Sequence, residues 1–182
     1  MLGTGKVFAY DFAENVIPGT MPYEEQGYWR DVGTLSSYFD ATLDMLGENP
    51  RFELRNRLWP IHPPQYDGPA AKIIAGDIRN SVVSEGVVIK GARIVNSTIR
   101  KNVIIEEGVS VEDCIIMDHT VLQKGCRLRR VIVDKFNTIA EGEQIGFDHQ
   151  KDRNVCGCHL DASGLAVIAK GERLMKRMKW FR

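Results

Sequence analysis

Between Val83 and Ile145, aliphatic residues recur at positions 83, 89, 94, 99, 105, 111, 116, 122, 128, 133, 139 and 145, in steps of five or six throughout. An amphipathic helix repeats every 3.6 residues and a strand every 2.0, so neither generates this spacing. A second series of small or β-branched residues sits two positions earlier at Val103, Val109, Cys114, Thr120, Cys126 and Val131. Four longer stretches align as well, starting at Asn80, Asn96, Asp113 and Arg130, with offsets of 16, 17 and 17. A three-sided coil with one short strand per side accounts for both periods, because sides of five, six and six residues sum to 17. Residues 72–146 are therefore predicted to form a parallel β-helix of a little over four coils. Ile89, Ile94, Ile99, Ile105, Val111, Ile116, Leu122, Leu128 and Ile139 should point inward. Gly86, Gly91, Gly108, Gly125 and Gly142 fall near the corners, where the backbone needs freedom. An antiparallel meander would want proline and loops between its strands, and no proline follows Pro69.

Proline divides the chain upstream. Five of the seven prolines fall at positions 50, 60, 63, 64 and 69, which predicts an extended linker over 50–71. Phe52, Leu54, Leu58, Trp59 and Ile61 are expected to pack along it. Residues 1–49 read as a short α/β piece. Val7–Phe12 is predicted as a strand and Gly19–Gly27 as a loop. Thr34 is an N-cap for a helix carrying Leu35, Tyr38, Phe39, Leu43 and Leu46 on one face, with Gly47 beyond its end. One strand and one helix cannot bury a core, so this piece should pack on the β-helix, self-associate or lack order.

Composition narrows the functional classes. Lys+Arg and Asp+Glu each number 24, which gives a formal charge of zero and no general attraction to nucleic acid or anionic membrane. No apolar run approaches the roughly 18 residues that span a bilayer. The N-terminus lacks the apolar core of a signal peptide, and four cysteines in 182 residues make no disulfide framework. A cytoplasmic, reduced chain is the expectation, with Cys114 and Cys126 as core residues.

Four motifs carry a resemblance: Phe8-Ala9-Tyr10-Asp11-Phe12; Tyr28-Trp29-Arg30-Asp31-Val32-Gly33-Thr34; Asn56-Arg57-Leu58-Trp59-Pro60-Ile61; and the run Cys126 to Lys135. In this order they resemble the C-terminal part of bacterial ADP-glucose pyrophosphorylase (glucose-1-phosphate adenylyltransferase). The hexapeptide ladder is likewise similar to the left-handed β-helix of sugar-nucleotide and acyl transferases. The resemblance implies a mainly β fold in which residues 1–49 end a nucleotidyltransferase catalytic domain and 50–71 form a linker. Residues 72–182 would then be a left-handed β-helix regulatory and oligomerisation domain with a basic tail. It implies a reaction of ATP with glucose-1-phosphate that yields ADP-glucose and pyrophosphate, with Mg²⁺ offsetting phosphate charge. Asp31 matches the family aspartate that helps hold the metal, and Tyr28 and Trp29 would line the sugar or nucleotide pocket. Lys135 lies at a position for a phosphorylated metabolite effector, and Lys170 falls near another, with Arg173 as the alternative. The family is tetrameric. Its Gly-rich phosphate loop has no counterpart here, because Gly3-Thr4-Gly5-Lys6 follows no strand. The expectation is a fragment or truncated relative that makes no ADP-glucose alone.

Two other classes follow from single features. His119 lies inside the repeats, where acyltransferases of this fold use a histidine base; an exposed corner histidine is the simpler reading. A purely structural oligomerisation module is the third class. Cys156-Gly157-Cys158-His159 has one intervening residue, where a zinc knuckle has two. From Lys170 to Arg182 six Lys/Arg interleave with Leu174, Met175, Met178, Trp180 and Phe181, a pattern that suits a terminal segment capping the β-helix.

Overall fold

In a computed structural model, the structure describes residues 6, 8–62, 66, 68–155 and 157–171. The β-helix predicted for 72–146 is present and extends further. The first coil carries β1 (Lys72–Ile73), β2 (Gly76–Arg79) and β3 (Val82–Val83). The second carries β4 (Val88–Ile89), β5 (Ala92–Val95) and β6 (Thr98–Ile99). In the third, β7 (Ile104–Ile105) precedes β8 (Ser110–Ile116), a long strand that bends round a corner to serve two sides. The fourth repeats this with β9 (Val121–Leu122) and β10 (Arg127–Val133). The fifth opens with β11 (Thr138–Ile139) and β12 (Gln144–Ile145), then leaves the prism for α2 (His149–Asp152) and β13 (Cys158–Leu160). It returns as β14 (Ala166–Ile168), which pairs in parallel with Val131–Val133 and takes the third side. The sequence period stops at Ile145 because this excursion interrupts it.

Register links each aliphatic to its counterpart one coil away. The first ladder runs Ile73–Ile89–Ile105–Leu122–Ile139. The second is Ile78–Ile94–Val111–Leu128–Ile145. The third is Val83–Ile99–Ile116–Val133–Ile168. All nine residues predicted inside are buried in one cluster, together with Val103, Val109, Cys114, Cys126 and Val131. Each corner turns through a residue of positive φ. One corner uses Asn80, Asn96, Asp113 and Arg130, the next Gly86, Asn102, His119 and Phe136, and the third Gly91, Gly108, Gly125 and Gly142. Asn and Asp tolerate this region because their side chains bond locally. Here they also bond along the prism: the Asn80 amide donates to Asn96 at 2.7 Å and the Asn96 amide donates to Asp113.

The upstream piece packs on the β-helix through one helix. In α1 (Leu35–Leu43), Thr34 and Ser37 form a reciprocal capping box at the N-terminus. Phe39 is buried against Ile115, Ile132 and Leu165, the outward aliphatics of the third side. The rest of residues 8–62 is turns stitched by individual bonds, such as Glu25 N–H to the Arg51 carbonyl at 3.0 Å and the Asn56 amide to the Pro18 carbonyl at 2.8 Å. Two expectations are corrected. Among the described residues of 7–12 there is no strand; Asp11 instead caps a short 3₁₀ turn, Phe12–Glu14. Phe8 and Tyr10 are 83% and 75% exposed, because no neighbouring strand offers them a ladder. Along 50–71, Phe52 packs as expected, on the Tyr28 ring, whereas Leu54, Leu58, Trp59 and Ile61 are exposed.

Candidate functional site

The corner built from Asn102, His119 and Phe136 gathers most of the predicted effector residues. Their φ angles of 57°, 59° and 61° hold them at the turns of successive coils, so like side chains stack along the prism. His119 lies flat on Phe136, with ring centroids 5.0 Å apart and planes 3° apart. The residue before each turn is Lys101, Asp118 or Lys135, in register at offsets of 17. With strands about 4.8 Å apart, two lysines flank one carboxylate within roughly 10 Å. Asp118 pairs with Lys135 at 3.6 Å and with Arg100 at 3.3 Å, and it accepts the Lys101 amide at 3.2 Å. Lys101 in turn lies 5.2 Å from the Tyr66 ring, whose hydroxyl donates to Asn102 at 2.6 Å.

Lys170 joins this corner from the other direction. After β14 the chain runs beside Lys135: the Gly171 N–H donates to the Lys135 carbonyl at 3.0 Å, and the Lys170 ammonium lies 5.6 Å from the Phe136 ring. Lys135 and Lys170 therefore border one aromatic shelf. Arg100, Lys101, Lys135 and Lys170 outnumber Asp118 and Asp134, which leaves the ridge cationic and half-exposed. A lysine over an aromatic ring, with a second lysine beside it in the chain, suits an anion carrying a planar or sugar group. Arg173 lies outside the described residues. Sequence reasoning missed Lys101, Asp118 and Phe136, although the offset of 17 that defined the coils would have placed 101, 118 and 135 together.

The second set of predicted residues, Tyr28, Trp29 and Asp31, lies in the upstream piece. The Arg30 guanidinium is bidentate to Glu25, at 2.8 and 2.6 Å, and its Nε donates to Asp44 at 3.0 Å. It also covers the Tyr28 ring at 4.4 Å, and that ring stacks on Phe52 at 5.1 Å. Hydrogen bonds from Arg30 hold the Glu25 carboxyl below its usual range, and burial beside Asp44 raises the Tyr28 phenol. Tyr28 thus packs inside the piece, while Trp29 is 68% exposed. The Asp31 carboxylate accepts the Gly33 N–H at 2.9 Å, a turn leading into the Thr34 cap. Among the described residues no group of three or more His, Cys, Asp or Glu converges as a metal site. One exposed carboxylate does not by itself fit Mg²⁺, which takes near-octahedral oxygen ligands.

The remaining candidates resolve structurally. Cys114 and Cys126 are buried, and burial pushes both thiols up to about 12. Cys156 lies outside the described residues. Cys158 and His159 are consecutive in β13 and point to opposite faces; Cys158 packs on the core, and His159 is exposed.

Comparison with known proteins agrees with this geometry. The family described as "GlmU-like, C-terminal hexapeptide" matches residues 69–168. A glucose-1-phosphate adenylyltransferase from Thermodesulfovibrio yellowstonii is 52% identical over 168 residues, covering 92% of this chain and 40% of that protein. Proteins of the same name from Corynebacterium jeikeium and Vibrio parahaemolyticus (the latter numbered 1) are each 38% identical, over 85% and 96% of this chain and 38% and 43% of theirs. The chain thus spans about 40% of the length of the curated relatives it matches, in their C-terminal part.

Proposed function

The chain belongs to the GlmU-like C-terminal hexapeptide family, and from its similarity to the C-terminal part of glucose-1-phosphate adenylyltransferases we propose that it serves as the regulatory and assembly portion of such an enzyme. In this reading residues 1–49 end the catalytic domain, 50–71 connect, and 72–182 form the regulatory β-helix. The complete enzyme would join ATP and glucose-1-phosphate in the cytoplasm as a tetramer. Mg²⁺ would be held there by Asp31 together with carboxylates from the N-terminal portion of the relatives, which this chain does not span. Trp29, exposed beside Asp31, would meet substrate or the catalytic domain.

The observation that carries the regulatory part is the cationic shelf at the corner of the fourth and fifth coils. A phosphorylated metabolite would place its phosphate between Lys135 and Lys170 and displace Asp118 from Lys135. Asp118, released from Lys135, keeps its pairing with Arg100 and the Lys101 N–H, so the exchange leaves no carboxylate unpartnered. In the complete enzyme, assembled by adding the N-terminal portion of a relative, Lys135→Ala should weaken activation by a phosphorylated sugar about tenfold, the loss of one charge-assisted contact. Substrate affinity without effector should stay unchanged. An activation curve identical to that of the unsubstituted enzyme would remove Lys135 from the site.

A further inference from the structure

Of the run Cys126 to Lys135, the cationic ridge uses only Asp134 and Lys135. On β10, Arg127 and Arg129 flank the inward Leu128 and so point out of the second side. Both guanidiniums lie over one ring, that of Phe147, at 4.9 and 5.7 Å from its centroid. Phe147 is 41% exposed, and the backbone before it is fixed. The Gly146 N–H donates to both oxygens of the Asp152 carboxylate at 3.2 Å, and that carboxylate is fully buried.

In the first two coils each arginine meets a carboxylate. Arg79 pairs with Asp77 at 2.8 Å, Arg93 with Glu112 at 3.5 Å and Arg100 with Asp118 at 3.3 Å. Among the described residues Arg127 and Arg129 form no ion pair. Their neighbours in register are the reason. Arg127 stands between the neutral Ser110 and Gln144, and Glu112, in register with Arg129, is engaged by Arg93. Arg130 turns instead over the Phe39 ring, at 5.4 Å. Two like charges drawn to one ring, with no carboxylate between them, are relieved by an anion. We propose that Arg127 and Arg129 form a phosphoryl-binding site on the second side of the β-helix. The planar forks match pairs of phosphoryl oxygens, and the strand roots the two side chains roughly 7 Å apart, close enough to share one tetrahedral group. The site is separate from the Lys135 ridge. That ridge follows the corner between the third and first sides, and the second side faces away from it.

Free phosphate and the phosphoryl group of a metabolite present the same oxygens, so the probes are inorganic phosphate and glucose-1-phosphate. In the 182-residue chain, at low and constant ionic strength, phosphate should shift the Nε–H resonances of Arg127 and Arg129 and the ring resonances of Phe147. The shifts should saturate with a midpoint on the order of 1 mM. Glucose-1-phosphate saturating at a lower concentration would identify a phosphorylated metabolite as the ligand; saturation at the same or a higher concentration would identify phosphate alone. Arg127→Lys together with Arg129→Lys keeps the charge and removes the forks at two exposed positions, and should raise the phosphate midpoint, followed at Phe147, about tenfold. Lys135→Ala should leave that midpoint unchanged. Shifts that grow without saturating would overturn the proposal, since they report an adventitious ion only. So would a midpoint that the double lysine exchange leaves as it was, or one that Lys135→Ala raises equally.

Discussion

At Gly146 the backbone itself forbids a side chain. Its φ is 87°, and a Cβ there would lie 1.7 Å from the Arg129 carbonyl oxygen, because the chain turns out of the prism against the coil below. Gly125 has a similar φ of 65° but open space around it. Gly125→Ala should therefore cost only the conformational term of about 1 kcal/mol, and Gly146→Ala distinctly more, since backbone must move as well. Denaturant midpoints of the two variants test this; equal losses would show that the Arg129 approach is relaxed in solution. A second prediction concerns acid. The Glu25 carboxyl is held below its usual value of 4.5 by hydrogen bonds from Arg30. A depressed carboxyl stabilises above its unfolded pKa and loses that contribution as pH falls through the folded one. Protection of the amides of 24–30, relative to an unstructured chain at the same pH, should thus fall below pH 4.5, and Glu25→Gln should produce the same loss of protection at pH 7 and abolish the acid response. The Arg30 clamp was not legible in the sequence. Its partners Glu25 and Asp44, which Arg51 also approaches, share no spacing, and only the turns of residues 20–53 bring them together.

At the level of elements, the inward ladders were readable because burial inside a prism imposes a strict period on every coil. The helix was readable from Thr34 and its apolar stripe, and it starts where the cap predicts. Its seat was not read, although a signal existed. Cys114-Ile115-Ile116 and Val131-Ile132-Val133 are apolar at the middle position, where an outward residue of a solvated side would be polar. Those two isoleucines are the platform for Phe39. The strand expected at Val7–Phe12 failed for the complementary reason: alternation of Phe8, Tyr10 and Phe12 defines a face, but a strand needs a neighbour to pair with. Phe39→Ala should cost about 3–5 kcal/mol of the docking of α1. Amides of 35–46 should then lose protection while those of the inward ladders keep theirs. A uniform loss across the β-helix would instead make the helix part of one cooperative unit with it.

For the whole molecule, two sets of residues stand apart. Among the described residues no hydrogen bond or ion pair joins the Tyr28–Asp31 segment to the Lys101–Asp118–Lys135 ridge. The β-helix is complete in its ladders, whereas the upstream piece leaves Phe8, Tyr10, Trp29 and Val32 exposed, the surface expected of a segment that meets a further domain. The sequence carried the β-helix through its period and the family through its motifs. The convergence of Lys170 on Lys135 became visible only with the return of β14, since the excursion from 146 to 165 breaks the repeat. The function proposed above is that of the regulatory and assembly portion of a nucleotidyltransferase, which by itself carries out no transfer. Its most direct test is pyrophosphate release from ATP and glucose-1-phosphate with Mg²⁺, measured on the 182-residue chain alone and after adding the N-terminal portion of the 52% identical relative. The account predicts no release alone, release on addition, and loss of most of it with Asp31→Asn. Release by the chain alone, unchanged by Asp31→Asn, would contradict it.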